Sequence, residues 1–137
     1  MQKTVLVLGA ILFFLGLVSG LLAGIAANPR MGLSAHMQGI TNGIFLIAVG
    51  AAWHFVSLSD RFKKLMLGLL VYGTYANWLS TQGAAFWNTG NLTPIHSSSP
   101  TASSLQEAIV SFGLVSLTVA MLLGTMLLVW GFLRSEP

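Results

Sequence analysis

From Thr4 to Ala26 the chain carries no charged side chain, and the same holds from His36 to Val56 and from Leu65 to Phe86. A fourth apolar run, from Glu107 to Leu133, has a single acid at its start. A helix needs about 20 apolar residues to cross a hydrocarbon core about 30 Å thick, and each run is long enough. None shows the alternation and short spacing of barrel strands, so helices are the expected spanning form. The runs predict an all-α, integral membrane four-helix bundle, a single transmembrane domain over residues 1–137. Charged residues make up 7% of the chain, against about 25% in an average soluble domain, which excludes a water-soluble monomer. Disorder is excluded too, because it needs low hydrophobicity and high charge. Lys3 followed by an apolar run and small residues at Ala23, Gly24 and Ala26 imitates a secretory signal. Signal cores run about 7–15 residues, however, and this run is longer, so a retained first helix is expected.

With four crossings, the two termini and the second connection share one side. That side holds Lys3, Arg61, Lys63, Lys64 and Arg134, and the other holds Arg30 alone. The positive-inside rule then places both termini in the cytoplasm, as in a multi-pass protein of the cell inner membrane. Six basic residues scattered over segment ends form no patch, so nucleic acid is not an expected partner. The absence of cysteine removes disulfides, thiolate metal sites and cysteine nucleophiles. The first outer connection, residues 27–34, is interrupted by Pro29 and Gly32, and the second, about Asn88 to Gln106, is rich in Ser, Thr and Pro. Ser104 and Glu107 read as a capping box opening the fourth helix.

Polar groups inside a bilayer are costly, and each is a candidate for function. Most of the Ser and Thr residues here are better explained as hydrogen-bonding glue between helices. The second helix is different. At about 100° per residue, Gly39, Gly43, Gly50 and His54 all fall within about 60° of His36. One stripe thus carries a histidine at each end and glycines between, smooth enough for another backbone or for a flat ligand. His36 opens the span beside this face and is a candidate axial ligand for haem iron. His54 lies about 27 Å further along the helix and cannot share a metal with His36 in one chain. Its place beside Trp53 suits the membrane interface, and His96 sits in the Ser-rich loop, where solvation is expected.

The third helix is the most polar, with Thr74, Tyr75, Asn77, Trp78, Ser80, Thr81 and Gln82 on more than one face. It must therefore be surrounded by protein or line a cavity. Matching depths along the two helices places Asn42 level with Asn77, which predicts a pocket lined by His36, Asn42, Tyr75 and Asn77. Every span interior lacks Asp and Glu, which argues against a proton-coupled exporter. No P-loop, HExxH motif or Ser-His-Asp set is present.

The segment Asn28-Pro29-Arg30 with Ala35-His36 and Asn42-Gly43, followed by Tyr72-Gly73-Thr74-Tyr75-Ala76-Asn77-Trp78, resembles the hydroxylaminobenzene mutase family, a relative of styrene oxide isomerase. The resemblance implies a membrane isomerase of aromatic compound metabolism that acts without net redox change. It also implies haem b between the subunits of a homotrimer, with His36 as the iron ligand; the smooth stripe would then set Gly39 and Gly43 beside the cofactor. By the resemblance Asn42 and a tyrosine of the third helix, Tyr75 favoured over Tyr72 on depth, would hold the oxygen of a small aromatic N-hydroxy substrate, and Asn77 joins these catalytic candidates from the depth-matched pocket. The reaction implied is conversion of hydroxylaminobenzene to 2-aminophenol by intramolecular hydroxyl transfer. Two other readings stay open: a styrene oxide-type epoxide isomerase, and a haem-bearing electron-transfer subunit that is not an enzyme.

Overall fold

A computed structural model describes residues 1–97 and 99–135, and within them the chain is all-α. Four helices follow in order: α1 (Gln2–Leu22), α2 (Pro29–Ala51), α3 (Asp60–Trp87) and α4 (Ser104–Leu133). Single 3-10 turns at Ala23–Ile25 and Trp53–Phe55 continue α1 and α2. At 1.5 Å per residue even the shortest, α1, is about 32 Å long. Two segments, Gln2–Ile25 and Ser104–Leu133, combine that length with the apolar composition a membrane crossing needs. Most of each faces outward, and large side chains such as Phe14, Leu21, Phe112 and Leu122 are exposed. The polar residues of α2 and α3 place those two helices below the same threshold.

Helix boundaries follow local chemistry. Pro29 stands at the first position of α2, where its missing N–H costs nothing, and the Asn28 side chain caps the helix by accepting from the Met31 N–H at 3.1 Å. The helix therefore starts seven residues before His36, where the apolar run alone would begin it. Two overlapping capping patterns precede α4, and the structure uses the earlier one. Ser103 accepts from the Gln106 N–H, while Oε1 of Gln106 accepts from the Ser103 N–H at 2.8 Å. The expected pair of Ser104 and Glu107 is corrected by one residue. That shift releases Glu107, whose carboxylate accepts from the N–H groups of Gly90 (2.7 Å) and Asn91 (3.2 Å) and so holds the long loop.

Successive helices pack antiparallel, α1 on α2, α2 on α3 and α3 on α4, with α1 also touching α3. The α1–α2 seam is the tightest. A Cβ on Gly16 would stand 2.5 Å from the Ile40 nitrogen, and one on Gly43 would stand 2.5 Å from the Phe13 nitrogen. Only glycine permits this approach, which gains dispersion contacts along the whole seam. The core divides into two apolar clusters. One gathers Val5, Leu12, Leu46, Met66, Leu70 and Leu128, and the other gathers Ala26, Met31, Ala84, Ala85 and Val110. Along every helix the residues between these clusters include the polar ones, Ser19, Gln38, Asn42, Asn77 and Ser116, so the fold carries a polar layer at mid-height.

Candidate functional site

His36 turns towards α1. Its Nδ1 lies 2.8 Å from the carbonyl oxygen of Gly16. A carbonyl only accepts, so Nδ1 is the donor, and in the neutral imidazole the lone pair is then on Nε2. Nε2 has no hydrogen-bond partner among the described residues, and the ring is half-buried. A histidine oriented by a backbone carbonyl through one nitrogen, with the other left basic, is the arrangement that suits a metal ligand. Among the described residues no three His, Cys, Asp or Glu side chains gather, so a bare ion would find too few ligands here. A porphyrin iron, already held by its macrocycle, would need only a single side chain such as an imidazole from the protein. His36 fits that requirement.

Gly39 and Gly43 do not serve as a flat cradle. Cβ atoms on them would collide with Cα of Gly16 and with the Phe13 backbone, because α1 fills the smooth stripe. Of the two readings of these glycines, close helix packing is the one realised. The stripe also ends early: α2 stops at Ala51, and His54 lies exposed in the following turn, stacked on Phe55 with ring centroids 3.9 Å apart.

The polar layer is organised by a residue that sequence reasoning passed over. Oε1 of Gln38 accepts from Nδ2 of Asn77 at 2.9 Å across the α2–α3 interface. It also accepts from Nδ2 of Asn42, one turn along α2, at 3.4 Å. Asn42 and Asn77 are thus brought to one level, joined through Gln38. The signal was available, since Gln38 lies four residues before Asn42 on the same helix face and is amphipathic enough to span the gap.

Tyr75 is placed elsewhere. Its hydroxyl donates to the Leu8 carbonyl of α1 at 2.9 Å, while Tyr72 pairs with Ser116 of α4 at 2.7 Å. Trp78 donates from Nε1 to Ser19 of α1 at 2.9 Å. The pocket expected from His36, Asn42, Tyr75 and Asn77 together does not form within one chain. His36 and Tyr75 turn to α1, whereas Asn42 and Asn77 meet at Gln38 where α2 packs on α3. What does open beside the amides is a cavity of about 310 Å³. Ser34, Gln38, Asn77 and Thr81 form its polar floor, and loop residues 92–96 partly cover it, leaving it open to the outside. Asn28 fixes that cover by donating to the His96 carbonyl at 2.9 Å and to Oδ1 of Asn88 at 3.2 Å. Asn88 adopts the left-handed conformation (φ 52°) that ends α3, a conformation asparagine tolerates better than most residues. The His96 side chain itself is exposed.

Comparison with known proteins adds to this geometry. A family model described as styrene oxide isomerase matches residues 1–133. Hydroxylaminobenzene mutase HabB of Ectopseudomonas oleovorans is 45% identical over 138 positions, covering 100% of this chain and 84% of that protein. Hydroxylaminobenzene mutase HabA of the same organism is 44% identical over 135 positions, covering 98% of this chain and 100% of that protein. No solved structure matches the chain.

Proposed function

Because the chain belongs to the styrene oxide isomerase family, we propose that it is a membrane-bound mutase converting hydroxylaminobenzene to 2-aminophenol. The protein is an isomerase; the proposal concerns which isomerisation. The observation that carries it is the likeness, over nearly the whole chain, to two hydroxylaminobenzene mutases. In the reaction the N–O bond breaks and a C–O bond forms at the ring carbon ortho to nitrogen. The proton displaced from that carbon is taken up at nitrogen, so atoms and electrons balance without a co-reactant.

Haem b is the cofactor we infer, and when bound it supplies a Lewis-acidic iron that withdraws electrons from the substrate oxygen. His36 would hold it through Nε2, with the Gly16 carbonyl setting the ring orientation. Asn42 and Asn77, aligned by Gln38, are the groups proposed to orient the substrate oxygen by hydrogen bonds. Tyr75 spends its proton on Leu8 and keeps lone pairs with which to accept. None of these groups is charged, and their task is positioning in a dry site, where fixed dipoles act strongly. The antiparallel succession gathers Lys3, Arg61, Lys63, Lys64 and Arg134 at one end, which supports a reading of four crossings with both termini cytoplasmic. A homotrimer would cover part of the exposed apolar surface of α1 and α4.

Membership of the styrene oxide isomerase family favours an epoxide as the second reading. One preparation tests both. Detergent-purified protein should show a Soret band that His36→Ala abolishes, and should turn phenylhydroxylamine into 2-aminophenol. Turnover of styrene oxide alone would select the epoxide reading. A colourless, active wild-type protein would remove the haem.

A further inference from the structure

We propose that the cavity beneath loop residues 92–96 binds a neutral aromatic molecule bearing a hydroxyl or amino group, admitted sideways between Leu92 and Leu114. The hydrogen-bond arithmetic of the floor gives the ligand's polar end. Both bonds recorded for Gln38 use its Oε1, which accepts from Asn77 and from Asn42. The Gln38 –NH₂ and the Asn77 Oδ1 have no partner among the described residues, and both side chains line the cavity. The floor therefore offers a donor beside an acceptor. A hydroxyl or amino group, which both accepts and donates, satisfies the pair, whereas an ether or a bare ring leaves one group without a partner.

The walls give the rest of the ligand. Met31, Leu92, Pro94, Ile95 and Leu114 are apolar, and the volume of about 310 Å³ lies at the lower end of the range for small-molecule sites, roughly 300–1,000 Å³. Among the described residues no Asp, Glu, Lys or Arg lines the cavity, and His96, at its rim, has an exposed side chain. Glu107, at the foot of the loop, is committed to the Gly90 and Asn91 N–H groups. An anion or cation would lose its hydration here without a counter-charge, so the ligand is neutral.

The route is lateral. Asn28 and Glu107 tie the loop from its two ends, so the partial cover it gives the cavity is fixed in place. On the outward face of α4 lies a second hollow of about 460 Å³, lined by Val115, Leu117, Thr118 and Val119. The two hollows share Leu92 and Leu114, and those two side chains are all that both linings have in common. An aromatic solute dissolved in hydrocarbon would lie along α4 and pass into the cavity by rotation of these leucines, a movement far faster than rearrangement of a tied loop.

The proposal rests on the mutase reading for its choice of ligand, and its test is independent of turnover. The chain has no cysteine, so Leu92→Cys introduces a single thiol at a half-exposed position. The rate of its reaction with N-benzylmaleimide is measured in detergent, with and without 2-aminophenol. Protection of about tenfold is expected when the probe stands about ten times above its dissociation constant. Benzoate should not protect, nor should 2-aminophenol protect Leu105→Cys, an exposed position at the start of α4 outside the cavity. Adding Gln38→Leu to Leu92→Cys should abolish protection and leave the unprotected rate unchanged, which shows the loop still in place. Equal labelling with and without 2-aminophenol overturns the proposal, as does equal protection by benzoate. Wild-type turnover of phenylhydroxylamine is followed in parallel. Protection without turnover keeps this site and removes the mutase reading; turnover without protection removes this site alone.

Discussion

Gly20 leaves the space that His36 occupies: a Cβ added there would stand 2.6 Å from Nδ1 and 2.9 Å from Cε1 of the imidazole. Gly20→Ala should therefore push the ring off the Gly16 carbonyl and release the tautomer it fixes. Alanine favours a helix interior by about 1 kcal/mol over glycine, so the helix itself is not weakened. The expected outcome is a large fall in Soret absorbance per protein with unchanged circular dichroism. A full Soret band in this variant would show that the ring orientation does not depend on that bond.

The α1–α2 seam and the outer face of α3 give opposite responses to the same substitution. Gly16→Ala meets backbone atoms of Gly39 and Ile40, and overpacking of this kind costs about 1–3 kcal/mol. Gly68 has nothing within 4 Å of its Cβ position, so Gly68→Ala should stabilise by about 0.5–1 kcal/mol through helix propensity. Thermal unfolding in detergent should move down for the first and up for the second.

Gln38→Leu removes the acceptor that Asn42 and Asn77 share. Each amide left unsatisfied costs about 1–3 kcal/mol, and if half of one such loss reaches the reaction barrier, kcat/KM for phenylhydroxylamine falls roughly two- to tenfold. Steady-state kinetics on the purified variant checks this; a wild-type kcat/KM would show that the amide alignment is not used.

Glu107→Ala should loosen the loop without disturbing the helices. The Gly90 and Asn91 N–H groups lose a charged acceptor, and hydrogen bonds to charged groups contribute about 1.5–3 kcal/mol. Deuterium uptake over residues 89–97 should rise while peptides from α1 and α2 stay unchanged. Uniform uptake across the chain would instead place Glu107 in global stability.

The mutase reading makes an isotopic prediction. Transfer of oxygen within one molecule leaves 2-aminophenol unlabelled when the reaction runs in ¹⁸O-water, as mass spectrometry would show. Label from solvent in the product would replace hydroxyl transfer with attack by water.

The helices were legible because apolar runs of this length leave few alternatives, but their ends obeyed rules that hydropathy does not see. Pro29 reads as a breaker, yet at the first helical position it is a starter, and that distinction lies in Asn28. Ser103 and Ser104 offer equivalent caps, and only the use of Glu107 by the loop decides between them. The level match of Asn42 and Asn77 could be counted from residue spacing, whereas Gln38 drew no notice because its importance comes from a partner on another helix. The stripe of Gly39 and Gly43 was visible as a smooth surface; that α1 fills it depends on Gly16 and Phe13, distant in the chain.

Three donors finish on α1: His36 on Gly16, Tyr75 on Leu8 and Trp78 on Ser19. Synthesis runs from the N-terminus, so every acceptor has been made before its donor leaves the ribosome. The first helix can act as a template against which the more polar α2 and α3 settle as they emerge. An unrelated apolar anchor in its place would match it in length and greasiness and still lack the Ser19 hydroxyl that Trp78 meets and the Gly16 and Gly20 clearances that let His36 reach its carbonyl.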